Sequence, residues 1–420
     1  MSFAWSKLLT ALVMAFTLGA NGAAFTTETK QVTFGPQHHF FGYIGHVRTI
    51  PWNQSGRFIV ALQTDFQERM PKPGEAADVV LLDTQNNYRL RVVDRSRAWN
   101  FQQGTMLYWN PAAPETEFLF NDRDPRTHEV FCVRFDISNG TNGQRVAEYR
   151  YGDTPVGNSG VAQKGGWFCA INYARLARLR PVTGYPGAHD WTVGVKHPAD
   201  DGIFKINVAT KEKQLIMSFK QIADALRSAH PDVDAKELFI NHTLWNRDDD
   251  RIYFFVRGDG FETDPKDKKF NVPFVMNPDG TGLRPLADFI GGHPDWELGH
   301  RMIGATDKEQ ILYDTEEMKF VGTLGSPQIF PKPGGDVALS PDAEWFVNGY
   351  GANGKNRYTF LRRADGMWFR TPAFDQGGYV TGELRIDPGP LWSRDSTQIL
   401  VPGVGQDGTR QLYVIHVKPR

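Results

Sequence analysis

The sequence predicts an all-β protein, a seven-bladed β-propeller with one helical insertion. Three observations predict it. Aromatic residues make up 13% of the 420 residues. They fall in short apolar runs punctuated by plentiful Gly and Pro, the pattern of strands and turns. From about residue 39 onward one unit recurs seven times: an aromatic or His-rich lead, a polar turn, a strongly apolar strand, a second strand and a short polar third. The anchoring turns begin near Asn53, Pro111, Lys164, Asn246, Leu298, Ser340 and Ser393. All but one of the intervals between them are about 40–60 residues, against the roughly 40–50 of propeller blades.

Residues 1–23 read as a secretory signal peptide. Lys7 gives the positive start, LLTALVMAFTLGA the apolar core, and Ala20, Gly22 and Ala23 the small residues of a cleavage site. Residues 24–420 are then expected to form a single propeller domain, exported to the periplasm or the medium. No later segment is apolar enough to cross a bilayer. Cys132 and Cys169 each sit in an apolar strand pattern (VFCVRF, WFCAIN), and buried free thiols are expected there.

The first unit runs through IPWNQSGRFIVALQTD, DVVLLDTQ and YRLRVVD, and the second through TMLYWNP, TEFLFND, HEVFCVRFDI and RVAEYRY. GVAQKGGWFCAINYARL opens the third, and FINHTLWNRDDDRIYFFVRGD the fourth. Between them FKQIADALRSAHPDVD, Phe219 to Asp234, spaces Phe219, Ile222 and Leu226 as a helix and stops at a Pro. The fifth unit begins at GGHPDWELGH and the sixth at GGDVALSPDAEWF; the last, PGPLWSRDSTQILVPGV with RQLYVIHV, shows only two clear strands. Lys30 to Phe34 (KQVTF) is expected to supply its missing outer strand and close the ring.

The net charge of -1 leaves no footprint for nucleic acid. A Ser nucleophile elbow, a phosphate-binding Gly loop, paired CxxC motifs and HExxH are all absent from the sequence, which weakens hydrolase, nucleotide and zinc-protease readings. The chemistry-bearing side chains lie near the starts of the units, where a propeller lets scattered positions converge. They include His38, His39, Gln102, Gln103, Arg123, His128, His242, His293 and His300. One stretch stands apart: NYARLARLRPVTGY, Asn172 to Tyr185, sets Arg175, Arg178 and Arg180 between Tyr173 and Tyr185. Guanidinium forks suit carboxylate and sulfate, so this stretch is expected to wall a uronate subsite.

QHHFFGYIG followed by IPWN, then WNFQQGTMLYW, FND, NYARL with RPVTGY, NHTLWN and GGHPDW resembles the propeller polysaccharide lyases, a group with oligogalacturonate lyases and ulvan lyases. The resemblance spans about residues 36–400 and is closest to ulvan lyases. It implies a monomer that cleaves an anionic, ulvan-like, uronate-containing polysaccharide by β-elimination. It places His128 as a catalytic group with Tyr173 or Tyr185, and Arg175 or Arg180 as the carboxylate clamp. Thr154 stands before Pro155-Val156 where the family often has a second His. Substrate contacts are expected from His39, Tyr43, Gln103 and Arg123. The oligogalacturonate branch implies manganese, with His242 and His293 in the matching segments and His300 beside them. The ulvan branch implies zinc. A divalent ion of either kind is therefore an expected cofactor, although Asp295 occupies a place where another His ligand would fall. The alternatives are a metal-dependent oligogalacturonate lyase and a propeller that only binds carbohydrate or protein.

Overall fold

The structure, a computed structural model, describes residues 25–42, 49–139, 143–291 and 293–419. Residues 1–23, read from sequence as a signal peptide, lie outside the described residues. Seven antiparallel sheets follow one another around a ring. Blades 1 to 6 each take four consecutive strands in sequence order, and blade 6 adds a short fifth, Phe374–Asp375. The innermost strands are His38–Phe40, Tyr108–Trp109, Gly157–Val161, Leu238–Trp245, Asp295–Trp296 and Asp336–Leu339.

Blade 7 takes three strands from the C-terminus, Leu391–Trp392, Gln398–Val404 and Arg410–Pro419, and its outer strand from the N-terminus, Phe25–Gln31. The register runs from Phe25 opposite Pro419 to Gln31 opposite Tyr413. The closing strand thus starts five residues upstream of the expected Lys30 to Phe34 segment. Val32 and Thr33 add bonds to Leu412 beyond its end. Deleting residues 25–31 is expected to cost on the order of 5 kcal/mol, because a seven-residue ladder is lost at about 0.5–1 kcal/mol per hydrogen bond. A large fall in the urea midpoint of the truncated protein would show it.

Aromatic leads hold the blades in order. Trp109, Trp245, Trp296 and Trp392 sit buried on innermost strands. Each donates its indole N–H to a carbonyl of the preceding blade: Pro51 (2.6 Å), Gly160 (3.1 Å), Leu244 (2.7 Å) and Ala338 (3.1 Å). A buried indole needs a partner for its one donor, so each pairing fixes a neighbour while filling the core. Cys132 and Cys169 are free and buried, as expected.

Two helices interrupt the strands. The expected one, α2, is Phe219–Leu226, with Ser218 and Gln221 forming a capping box and Phe219, Ile222, Ala223 and Leu226 buried. The other, α1, is Tyr173–Leu179, capped by the Asn172 side chain. It lies between the second and third strands of blade 3, within the stretch read from sequence as the end of a strand. The Asn N-cap and the unbranched ARLARL run are the local signals that favour helix there.

The loop between blades 1 and 2 crosses the central opening. Asn100 donates to the Gly184 carbonyl, Gln103 to the Asn241 side chain of blade 4, and Gln102 to the carbonyls of Glu383 and Arg385 ahead of blade 7. Gly42 and Gly104, both at positive φ, let it press on blade 1: a Cβ on Gly104 would stand 2.2 Å from the Phe41 oxygen.

Candidate active site

On the face that carries this crossing loop, the starts of the inner strands of blades 4, 5 and 6 and the segment leading into blade 7 bring together His242, His293, Asp336 and Asp387. His242 sits at a bulge, where the pairing of Leu238–Trp245 with Ile252–Gly258 slips between Asn241 and Thr243, and its φ is 61°. A bulge re-aims one side chain out of the alternating pattern, and a left-handed His is uncommon enough to suggest a use. Its ring lies edge-on to that of His293, centroids 6.0 Å apart.

His293 Nδ1 meets Asp336 Oδ1 at 2.6 Å, and the other Asp336 oxygen accepts the Gly389 N–H at 2.9 Å. A carboxylate at Nδ1 fixes the ring and leaves the lone pair on Nε2. Asp387 pairs with Arg385 at 2.8 Å. Burial raises its carboxyl above the ordinary range, Asp336 adds to the rise, and Arg385 opposes it.

Four guanidinium groups gather around these acids. Arg180 bonds Glu262 at 2.5 Å and Thr183 at 3.2 Å; burial and Arg385 disfavour its charge, and Glu262 supports it. Arg385 serves Asp387. The other two, Arg257 and Arg410, have no ion pair among the described residues. Arg257 donates to Asn271 Oδ1 at 2.9 Å and lies over Phe255 and Phe261. Burial, then the like charge of Arg180, pushes its pKa down to about 9. Arg410 donates to the Phe101 carbonyl over the Phe40 ring, and burial pushes it down to about 10. A buried cation without a counter-charge is costly, and a bound anion would supply one.

Arg410 and Asp387 line a small central cavity of ≈20 Å³ with Phe41, Phe101 and Gln102. A groove of ≈400 Å³ is lined by Asp336, Lys332, Gly335 and Tyr350. The groove has room for sugar rings, and the central cavity for little more than a water.

The residues singled out from sequence divide. Arg180, His242 and His293 are brought together here, and Gln103 holds the crossing loop. Arg175 is a correction: it is 1% exposed, and its guanidinium is used on Leu238 O, Thr192 Oγ1, Val195 O and Lys196 O, so it braces α1 and cannot clamp a substrate. Tyr173 and Tyr185 are corrected likewise. Both are buried and stacked, centroids 4.4 Å apart. Tyr173 donates to Asn158 O, and Tyr185 accepts from Asn121; burial raises both phenols, which unsuits them for proton transfer.

His128 lies exposed in the hairpin Asp124 to Glu129 at φ 62°, away from the arginines and His293. Its replacement by Ala is expected to leave turnover of any substrate nearly unchanged, measured as kcat/KM. His39 spends one ring nitrogen on Gln411 and the other on Gln63, and burial lowers its pKa, so it is a neutral strut between blades 7 and 1. Arg123 is buried beside Pro186, apart from the four guanidiniums. Tyr43 lies outside the described residues. His300 stands at the other end of its blade, in the hairpin before Arg301–Ala305, bonded to Asp250. It cannot join His242 and His293.

Sequence reasoning missed Arg257, Arg385, Asp336, Asp387 and Arg410. One signal was present: Arg257 ends IYFFVRG, a wholly buried strand in which a single charge breaks an apolar run.

Two solved structures share this architecture. An oligogalacturonate lyase from Vibrio parahaemolyticus is 13% identical, covers 96% of this chain and 96% of its own, and superposes with a TM-score of 0.58. An oligogalacturonate lyase in complex with manganese is 14% identical over 97% of this chain and 96% of its own, with a TM-score of 0.60. No family profile matches the chain, and no curated protein does. At such identities the likeness establishes the fold.

The second neighbour holds manganese. Within this chain His242 and His293 could offer two imidazoles. However, no group of three or more His, Cys, Asp or Glu side chains gathers to hold an ion among the described residues, and Asp336 is engaged on His293. The residues present do not make a metal cage, and no chemical step below runs through a metal.

Proposed function

We propose that this protein is a lyase that cleaves a uronate-containing anionic saccharide by β-elimination. The observation that carries the reading is the pair of buried guanidiniums without an ion pair among the described residues, Arg257 and Arg410, on the face that holds the oriented His293–Asp336 pair. Elimination from a uronate removes the C5 proton, forms the C4–C5 double bond and expels the C4 oxygen. The C5 proton is acidic enough only when the adjoining carboxylate is neutralised as charge develops on it, which preorganised donors do best. Arg257 fills that role, while Arg180 beside it is held by Glu262. His293, with Asp336 supporting the imidazolium, takes the C5 proton. His242, across the pair of rings, returns a proton to the leaving oxygen.

An ulvan-like sulfated polymer is the first substrate to try, on the strength of the sequence resemblance. Oligogalacturonate is the second, favoured by the two neighbours. The test is the ultraviolet absorbance of an unsaturated uronate product. No rise with ulvan, oligogalacturonate or glycosaminoglycans would reject the lyase and leave a saccharide-binding propeller. Loss of activity in EDTA, restored by manganese, would favour the metal-dependent reading.

A further inference from the structure

Several apolar side chains left in solvent lie on outermost strands, among them Val92, Val146, Phe320 and Val321. Single exposures of that kind need no explanation. Phe289 is different. It is 52% exposed, and it stands in the segment that joins the last strand of blade 4, Arg284–Pro285, to the first of blade 5, Asp295–Trp296, four residues before His293. The backbone beside it is pinned: the Ile290 carbonyl accepts the Ala305 N–H at 2.7 Å, and the Ile290 side chain is 1% exposed. Ala305 ends the strand that pairs with Asp295–Trp296, so the segment lies on the face that carries His293. A fixed backbone therefore holds Phe289 outward. Its ring packs against Phe255, centroids 6.3 Å apart at 49°. Phe255 in turn meets His242 edge-on at 6.1 Å and carries the Arg257 guanidinium 4.7 Å from its ring centre. Phe289 shares one supporting ring with both. Around the propeller it falls between blades 4 and 5, and the ≈400 Å³ groove falls between blades 5 and 6, with His293 between the two.

We propose that Phe289 is the platform on which the departing sugar stacks, the ring whose glycosidic oxygen leaves C4 of the uronate. A pyranose carries C–H groups on its faces and hydroxyls around its rim. A flat, exposed aromatic ring suits such a face, through apolar area removed from water and contact with its π-surface. The uronate that reacts must present its C5–H to His293 and its carboxylate to Arg257, which leaves a neighbouring ring to meet Phe289. Of its two neighbours, the one bearing the leaving oxygen has to stand beside His242, and Phe289 packs on the ring that touches His242. As the C5–H and C4–O bonds break and the C4–C5 double bond forms, His293 gains a proton. The proton given up by His242 ends on the oxygen at C1 of the departing ring, which becomes a reducing end. The sugars on the unsaturated side run the other way, toward the groove at Asp336. The saccharide chain thereby has a direction across the face. Phe289 carries no charge, so the departing position accepts a neutral sugar as well as a uronate. The direction rests on the lyase reading; the stacking rests on the exposed ring and its place.

The experiment compares the full chain with its Phe289→Leu and Phe289→Tyr variants. Leu keeps an apolar contact with Phe255 and loses the flat surface; Tyr keeps both. With an oligosaccharide that is cleaved, Phe289→Leu is expected to raise KM about tenfold with kcat nearly unchanged, and Phe289→Tyr to restore KM to within about twofold. A 4-deoxy-4-fluoro uronate glycoside expels fluoride and brings no departing ring, so its kcat/KM should not distinguish Leu from Tyr. A Leu variant with the original KM, or one equally impaired on both substrates, overturns the platform and leaves Phe289 as packing for Phe255. Binding is measured separately on a His293→Ala background, where the bond stays intact. Calorimetry with oligogalacturonate and ulvan oligosaccharides as probes is expected to show affinity about tenfold weaker once Phe289→Leu is added. Affinity that does not change, or no binding of either probe, overturns the platform. If binding depends on Phe289 and no saccharide is cleaved by the unaltered protein, the lyase reading fails and the stacking stands.

Discussion

Arg257→Gln is expected to lower kcat/KM on a cleavable uronate substrate by about 10²–10³-fold, the usual cost of removing one preorganised donor from a developing oxyanion. The same change should leave the protein as stable as before, or more so. Arg257 is buried, its charge is disfavoured by its surroundings and by Arg180, and it donates a hydrogen bond to Asn271. Removing it relieves burial of a charge and repulsion from Arg180, which Glu262 only partly offsets. Opposite signs for activity and stability mark a residue kept for its ligand. Arg257→Lys should recover only part of the activity, since an ammonium cannot present two parallel donors to a carboxylate. Thermal melts beside kinetics check the prediction. A variant that loses activity only because it unfolds would show Arg257 to be a structural cation.

His293→Ala is expected to reduce kcat by about 10²–10⁴-fold with little change in KM, the range for loss of a general base. The base reading depends on Asp336, which reaches His293 Nδ1 at 2.6 Å and is itself tied to the Gly389 N–H of the segment entering blade 7. Asp336→Asn keeps the shape and removes the charge that would support the imidazolium. It should lower kcat by a smaller factor. If both variants raise KM and spare kcat, the two residues bind substrate and another group takes the proton.

The ring was legible because its cause is periodic. Each blade repeats an aromatic lead, a polar turn and two apolar strands, and the Trp residues of those leads form the blade-to-blade indole bonds. Helix α2 was legible through its Phe219, Ile222 and Leu226 spacing. Helix α1 was not, since seven residues spanning Tyr173–Leu179 make too few turns for a period to stand out against the strand before them. The site was legible in parts. His242 and His293 were noticed as scattered imidazoles, but only the bulge at Asn241–Thr243 and the contact with Asp336 show how they are aimed. Of the Arg-rich stretch, Arg180 reaches the cluster while Arg175 is consumed by backbone carbonyls, a difference set by tertiary partners far along the chain. Asp336, Asp387 and Arg410 converge from blades 6 and 7, and no local pattern announces such a meeting.

The loop that crosses the central opening acts as a tie rod. By grasping Asn241 of blade 4 with Gln103 and the backbone ahead of blade 7 with Gln102, it sets the span of the ring along the line that separates Arg257 from Arg410 and Asp387. Stiffness of the cluster around Arg257, Arg410 and Asp387 is therefore adjustable through two glutamines, of which Gln102 also walls the central cavity. Shortening one glutamine would let opposite sides of the wheel breathe against each other, broadening the range of sugars admitted at the expense of speed.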